Sequence, residues 1–545
     1  MSVRSRSLRG KPFIKGVQNG FAKVHSAYNH TVRTTTAAAT TTATAARTFK
    51  TKTTTTTSLN VLYNETKRKI YSREVALPDI SDDVFVNNEV SLRRIHSFGF
   101  DYDYTFASYT REAHKLVYDI AKDNLIKAMN YPKQLMGYAF DDFPIIRGLH
   151  FDTENGFLMK IDSRSRIQMG TVYRGFEKVE DEEVINEYGG SLLDVDLISS
   201  GSKRSRIFQQ TDLFSVALLS LLTNIAEHFR KNNVPFNPAY IFQDAQNAVR
   251  SAYRSGRITE AISNDLDQYC APKDKNLEIY LNRLVNNGKK LFIVTNSSFN
   301  FVDKGMRHLF GKDWRDLFDV IVVDARKPRF FSSSSTRTRQ QKLPFRNVNC
   351  ENGTYLWSGV KKFQKHGVYG QGNIDLFNTY TGCERSTVIY WGDHVYNNLL
   401  GPQLRIGWRT GALVPELRTE IEICSSEKYV RDMQWLVELE KLITRLQAGG
   451  KCTGEGREGG NFETASGGIL LLEWRNERKS LRRNLKEMFN PSFGSMFRAN
   501  ENPSSFSKRV THYTDLYTSN VANMLKYSDH FHFLPGRNLL PHERF

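Results

Sequence analysis

Cysteine is scarce: five in 545 residues (Cys270, Cys350, Cys383, Cys424 and Cys452), odd in number and never in a C-x-x-C pair. That argues against a disulfide framework and a structural zinc site, and fits a reducing compartment. Long apolar runs are missing too. The nearest, Leu213 to Ala226, is broken by Ser215, Ser220, Thr223 and Asn224, so no stretch reaches the roughly 18 residues of a membrane-spanning helix. Acidic residues are absent from positions 1–64, which hold ten Lys or Arg; the first acid is Glu65. This leader supplies ten of the net +18 charges and leaves +8 on the rest of the chain. Without a strongly basic body, nucleic acid is not an expected partner. No Walker loop occurs either, and Gly370 and Gly372 read as a loop.

What is present is ordinary for a globular protein, at 39% hydrophobic and 25% charged residues. The length allows about two to four domains. The leader is rich in Ser, Thr and Ala, with low complexity from Thr34 to Thr57. Basic, acid-free composition of this kind matches a mitochondrial transit peptide; the alternative is a tail without an address on a cytoplasmic chain.

From Val84 onward, short apolar runs end in polar clusters. Ser97 to Phe100 precedes Asp101, Leu291 to Val294 precedes Thr295, Phe318 to Val323 precedes Asp324, and Thr387 to Trp391 precedes Gly392-Asp393. Such runs, with helical segments between them, read as buried strands of a parallel α/β sheet. Ligand chemistry in these sheets sits at the carboxyl ends of the strands. All four clusters fall there.

Each cluster has a possible chemical use. Asp101-Tyr102-Asp103-Tyr104-Thr105 sets two carboxylates two residues apart, able to divide nucleophilic and acid–base work, or to form only an acidic turn. Thr295-Asn296-Ser297 offers a hydroxyl and backbone amides to phosphoryl oxygens, or a helix cap through Asn296 or Ser297. Lys327 can neutralise charge on a phosphoryl group and a carboxylate. Asp393 can complete an all-oxygen site suited to magnesium rather than zinc. His394, beside it, reads as a structural side chain.

In this order (D-x-D-x-T, strand-Thr, Lys, Gly-Asp) the clusters resemble the signature of the haloacid dehalogenase superfamily of phosphohydrolases. Phe85 to Val90 with Gly99 to Thr105, Val323 to Pro328 and Tyr390 to His394 are similar to the cytosolic purine 5'-nucleotidase family. Gly407 to Ala412 and Phe493 to Arg498 with Asn502-Pro503 place it with the 5'-nucleotidase domain-containing branch. The resemblance implies an α/β fold: a Rossmann-like parallel-sheet core with a large inserted cap and a helical C-terminal extension. It implies Asp101 as nucleophile, Asp103 as acid and base, Lys327 as the charge-stabilising lysine, and Thr295 and Asn296 as phosphate contacts. Magnesium would be held by Asp101, Asp103 (through its backbone carbonyl) and Asp393. The implied substrate is a nucleoside monophosphate, and a homo-oligomer is allowed. One position departs from the family: Asn398 stands where a second aspartate is found.

The domain expectation is a leader over 1–64, a core over 65–115 and 280–420, a cap over 116–279, and an extension over 421–545 with a Gly-rich linker at 448–468. Leu471, Trp474, Leu481, Leu485 and Met488 recur at helical spacing. They give either a membrane- or partner-facing surface or, as favoured here, a helix packed on its own core. Two functional classes remain: a magnesium-dependent 5'-nucleotidase, and a silent relative serving as a scaffold, toward which Asn398 points.

Overall fold

The computed structural model describes residues 56–73, 80–199, 202–332, 343–449 and 466–537. The transit-peptide expectation falls mostly outside them, as does most of the Gly-rich linker.

The main sheet has ten strands: β1 (Phe85–Val86), β2 (Ser97–Phe100), β3 (Lys290–Val294), β4 (Val320–Val323), β5 (Phe345–Val348), β6 (Tyr355–Gly359), β7 (Gly367–Gln371), β8 (Val388–Gly392), β9 (Arg409–Leu413) and β10 (Leu516–Thr518). Their order is β1-β10-β9-β8-β2-β3-β4-β7-β5-β6. The run from β10 to β7 is parallel, and β1, β5 and β6 are antiparallel additions. Gly370 lies within β7, not in the loop its sequence suggested.

Alternate residues of the central strands face opposite cores, as a period of two requires. Phe98, Phe100, Ile293, Ile321 and Val323 join one apolar cluster; Phe292, Val294, Val320, Val322, Val388 and Tyr390 join the other. Burial on both faces explains why these strands read as continuous apolar runs. Each buried Val or Ile is worth about 1.5–3 kcal/mol relative to exposure. Gly99 is required by its neighbours: a Cβ there would come within 2.3 Å of the Phe292 ring and 2.7 Å of the Tyr390 ring.

The insertion after β2 forms a five-stranded antiparallel sheet over residues 150–209, with helices Arg111–Ala128, Ser215–Lys231 and Pro238–Arg254 beside it. Residues 150–178 supply four of its five strands. Helices Thr56–Tyr71, Glu427–Gly449 and Ser466–Glu487 bury Leu59, Trp435, Leu439, Trp474, Leu481 and Leu485 in a cluster of their own. The amphipathic C-terminal helix thus packs on a core. Among the described residues no helix is long and apolar enough to cross a membrane.

All four internal domain boundaries expected from the sequence fall inside helices: Thr56–Tyr71, Arg111–Ala128, Lys275–Asn286 and Leu417–Cys424. Leu59, assigned to the leader, is buried against the C-terminal helices. The extension is not purely helical, because β10 pairs with β9 and β1 inside the main sheet. Divisions drawn between chemical motifs do not register where apolar faces meet.

Candidate functional site

Register brings the four clusters together. Phe100 pairs with Ile293 and Trp391, and Val322 pairs with Val294, so Asp101, Thr295, Asp324 and Asp393 emerge at one edge. A backbone bond from Asp101 N to Trp391 O (2.9 Å) carries the β2–β8 pairing one residue past Phe100.

Asp101 is 5% exposed. Its Oδ1 accepts hydrogen bonds from Lys327 Nζ (2.6 Å) and from Tyr102 N (2.8 Å). Among the described residues no donor reaches Oδ2, which leaves one carboxylate oxygen for attack. Lys327 is also buried. Its Nζ lies 3.3 Å from the Tyr390 hydroxyl, which itself donates to Val294 O (2.7 Å).

The Asn296 side chain turns toward Lys327. Its Oδ1 accepts from Lys327 N (2.5 Å) and its Nδ2 donates to Lys327 O (3.2 Å). Both ends of the side-chain amide are committed to the lysine backbone, so the side chain positions Lys327 and leaves the Asn296 backbone amide as the group that could meet a phosphate. Thr295 is fully buried, and its Oγ1 accepts from Ser297 N (3.1 Å). Ser297 is no helix cap. Its hydroxyl donates to Asp103 Oδ2 (2.6 Å), while Tyr109 donates to Oδ1 (2.6 Å). Burial, and next the charge of Asp101, raise Asp103 above the ordinary carboxylate range despite these donors and Lys327. A carboxyl shifted in this direction is suited to general-acid work.

Asp393 is 5% exposed, and its Oδ1 accepts from Asn398 Nδ2 (3.1 Å). Burial first, then Asp101, push it well above its ordinary value; Arg147 and Lys327 pull the other way. Gly392 makes room for Asn398, since a Cβ there would sit 2.7 Å from the Asn398 Cβ. His394 Nδ1 accepts from Tyr396 N (3.2 Å) and Asn397 N (3.4 Å). It caps the following turn, as its structural reading implied.

Among the described residues no three His, Cys, Asp or Glu side chains converge as a ready-made metal cluster. The donor set still suits a hard cation. Asp101, Asp103 and Asp393 face Lys327 and Arg147, and Arg147 is already paired with Glu416 at 2.7 Å. The buried Thr105 hydroxyl has no partner. Excess negative charge among oxygen donors fits a small divalent ion of the magnesium type.

Three further residues meet these carboxylates and the lysine without having stood out in the sequence. Tyr390 sits inside an apolar strand run, and neither Tyr109 nor Arg147 belongs to a motif; the Arg147 side chain is 0% exposed, with no hydrogen-bond partner for Nε or Nη1 among the described residues. From the cap side, Phe214 stacks edgewise on Tyr104 (5.0 Å) and Tyr253 (5.4 Å), roofing the loop that holds Asp103.

Residues 84–545 match the model of the 5' nucleotidase family. The chain belongs to this family. It is 38% identical over 462 residues to 5'-nucleotidase domain-containing protein 2 of Homo sapiens, covering 84% of this chain and 85% of that one. A 5'-nucleotidase domain-containing protein of Dictyostelium discoideum is 34% identical over 468 residues, covering 85% and 75%. A solved HAD-hydrolase of Bacillus subtilis bound to magnesium covers 59% of this chain and 90% of its own at 12% identity, with a TM-score of 0.20. Membership in the 5' nucleotidase family supports hydrolase activity of the phosphatase or nucleotidase kind, and the α/β sheet presents its carboxylates where such chemistry sits.

Proposed function

We propose that this 5' nucleotidase family member hydrolyses a nucleoside monophosphate to nucleoside and phosphate through a phosphorylated Asp101. The observation that carries the reading is the buried Lys327–Asp101 contact of 2.6 Å, beside an Asp103 held by Ser297 and Tyr109. Oδ2 of Asp101 attacks phosphorus, forming an O–P bond as the ester P–O bond breaks. Asp103 gives its proton to the departing 5'-oxygen. Water then attacks the phosphoryl group, Asp103 takes the water's proton, and phosphate leaves with Asp101 restored. Lys327 offsets the charge of a dianion approaching a carboxylate. Bound magnesium, held by Asp101, Asp103 and Asp393, would supply further positive charge against the phosphoryl oxygens.

Asn398 favours a second reading, a silent family member acting as a scaffold, because a neutral amide beside Asp393 lowers the negative charge available to a cation. The retained Asp101, Asp103, Lys327 and Asp393 favour the enzyme. The mechanism is tested by acid-quenching the full chain during turnover of a phosphate-labelled nucleoside monophosphate with magnesium. Label is expected on Asp101 and absent from Asp101→Asn. Turnover with no protein-bound label at any quench time, or label on another residue, contradicts the covalent step. The leader's mitochondrial address forms part of the same proposal and rests on its basic, acid-free composition.

A further inference from the structure

The loop from Asp324 to Lys327 carries the lysine that faces Asp101, and its backbone takes an unusual shape. Asp324 (φ 47°) and Arg326 (φ 60°) both sit in the left-handed region, although neither is glycine. A side chain is disfavoured there, so the shape persists only where neighbours enforce it. On one side the loop after β3 enforces it. Asp324 N donates to Ser297 O (3.1 Å), Ala325 N donates to Thr295 O (2.9 Å), and the Asn296 side chain brackets Lys327.

On the other side the hold comes from β6, beyond β7 and β5 in the sheet. Tyr355 donates its hydroxyl to Asp324 Oδ2, the one hydrogen bond that a side chain gives this carboxylate among the described residues. The reach is built into the strand order. Val323 pairs with Gly370 on β7, and Gly370 pairs with Arg346 on β5. A Cβ at Gly370 would come within 2.2 Å of Tyr355 Cε1, so the glycine leaves open the path that the ring takes to Asp324. The Arg346 guanidinium lies 4.6 Å from the ring centre, a cation–π contact along that path. At the turn of the hairpin Asn300 Nδ2 donates to Asn352 O (3.3 Å), tying it to the helix Phe299–Phe310 that follows Ser297.

We propose that Tyr355 is a positioning residue for Lys327: by holding Asp324 it fixes the loop from which the lysine reaches Asp101. Tyr355 touches neither the lysine nor the carboxylates of the site, and acts through the backbone of Asp324 to Lys327. The inference rests on the aspartyl-phosphate reading for its chemistry. A lysine set to meet both Asp101 and a phosphoryl group has little tolerance, since a displacement of about 1 Å at such a group costs on the order of 10²-fold in rate.

Turnover and binding on the full chain test it together. Tyr355→Phe removes one oxygen, and kcat on a nucleoside monophosphate should fall about 10–100-fold with KM unchanged. Asp324→Ala should fall equally, and the double variant no further. Asp324→Asn, whose amide oxygen still accepts from Tyr355, should keep nearly the wild-type rate. Orthovanadate, which takes the five-coordinate geometry of the transferring phosphoryl group, should bind Tyr355→Phe more weakly by the same factor in calorimetry with magnesium. Unchanged kcat and vanadate affinity in Tyr355→Phe, or Asp324→Asn as slow as Asp324→Ala, overturns the positioning role and leaves the nucleotidase reading standing. A wild-type chain that binds vanadate but releases no phosphate from any nucleoside monophosphate removes that reading, and the vanadate affinity of Tyr355→Phe then decides the positioning role. A wild-type chain that does neither overturns both.

Discussion

Lys327 Nζ stands 2.6 Å from Asp101 Oδ1, with the lysine side chain 1% and the aspartate side chain 8% exposed. Two charges this deep are tolerable only together: removing one partner of a buried pair costs about 3–5 kcal/mol. Lys327→Met should therefore lose stability on that order and lose phosphate release by roughly 10²–10³-fold, the usual toll for a charge-stabilising group. Denaturant melts and a phosphate assay read both; a variant as stable as wild type at neutral pH would show that the contact carries no such weight.

Asp103 is held by Ser297 and Tyr109 and raised by burial. Under the proposed mechanism it protonates the leaving oxygen and is needed in its protonated form, so kcat/KM should fall as pH rises through its elevated value. Asp103→Asn should cost about 10²–10⁴-fold on a nucleoside monophosphate, the range for a general acid. It should cost far less on p-nitrophenyl phosphate, whose leaving group needs no proton. Equal losses on both substrates would assign Asp103 a different role.

Asp393 is a buried carboxylate whose charged form the fold disfavours. A raised carboxyl value means that the folded state binds the proton more tightly than the unfolded chain does. Stability is then lost as pH climbs from about 3.9, the ordinary aspartate value, through the folded value. Asp393→Asn should accordingly be more stable than wild type in chelator, by roughly 1–2 kcal/mol, the usual gain when a functional site is relaxed. The gain should be larger at pH 8 than at pH 4. Magnesium should raise the melting temperature of wild type and not of the variant.

Asn398 donates to Asp393 Oδ1 at 3.1 Å. An aspartate there cannot donate and adds a second charge. Asn398→Asp should melt lower than wild type in chelator and bind magnesium more tightly in titration calorimetry. Unchanged or weaker magnesium affinity would mean that the site has adapted around the asparagine.

Helix Thr56–Tyr71 buries Leu59 and sets Tyr63 5.2 Å from Trp474 in a stacked contact. A chain begun at residue 65 loses both residues and exposes Trp435 and Trp474. It should melt below a chain begun at residue 54; equal melting would make the helix dispensable.

The strands that end in chemistry were legible because burial on both faces writes itself as an apolar run: β2 spans the expected residues Ser97 to Phe100, and β8 differs by a residue at each end. Asp101, Asp103 and Lys327 stood out because short motifs fix their offsets from those strands, and the fold sets Lys327 against Asp101. The hold of the Asn296 side chain on Lys327 was not legible because its partner, the Lys327 backbone, lies 31 residues away. Tyr390 hid inside an apolar run, and Arg147 is buried only because Glu416 and the Phe506 ring meet it from distant segments. The cap's small strands stayed invisible because their two- and three-residue pairings leave no periodic trace.

Phosphate release by the purified full chain, across a panel of nucleoside monophosphates with and without magnesium, tests the central claim most directly, with Asp101→Asn as the blank. Magnesium-dependent release that disappears in Asp101→Asn is the expected result and names the substrate. Folded protein that releases nothing above the blank, or Asp101→Asn that turns over as fast as wild type, contradicts it.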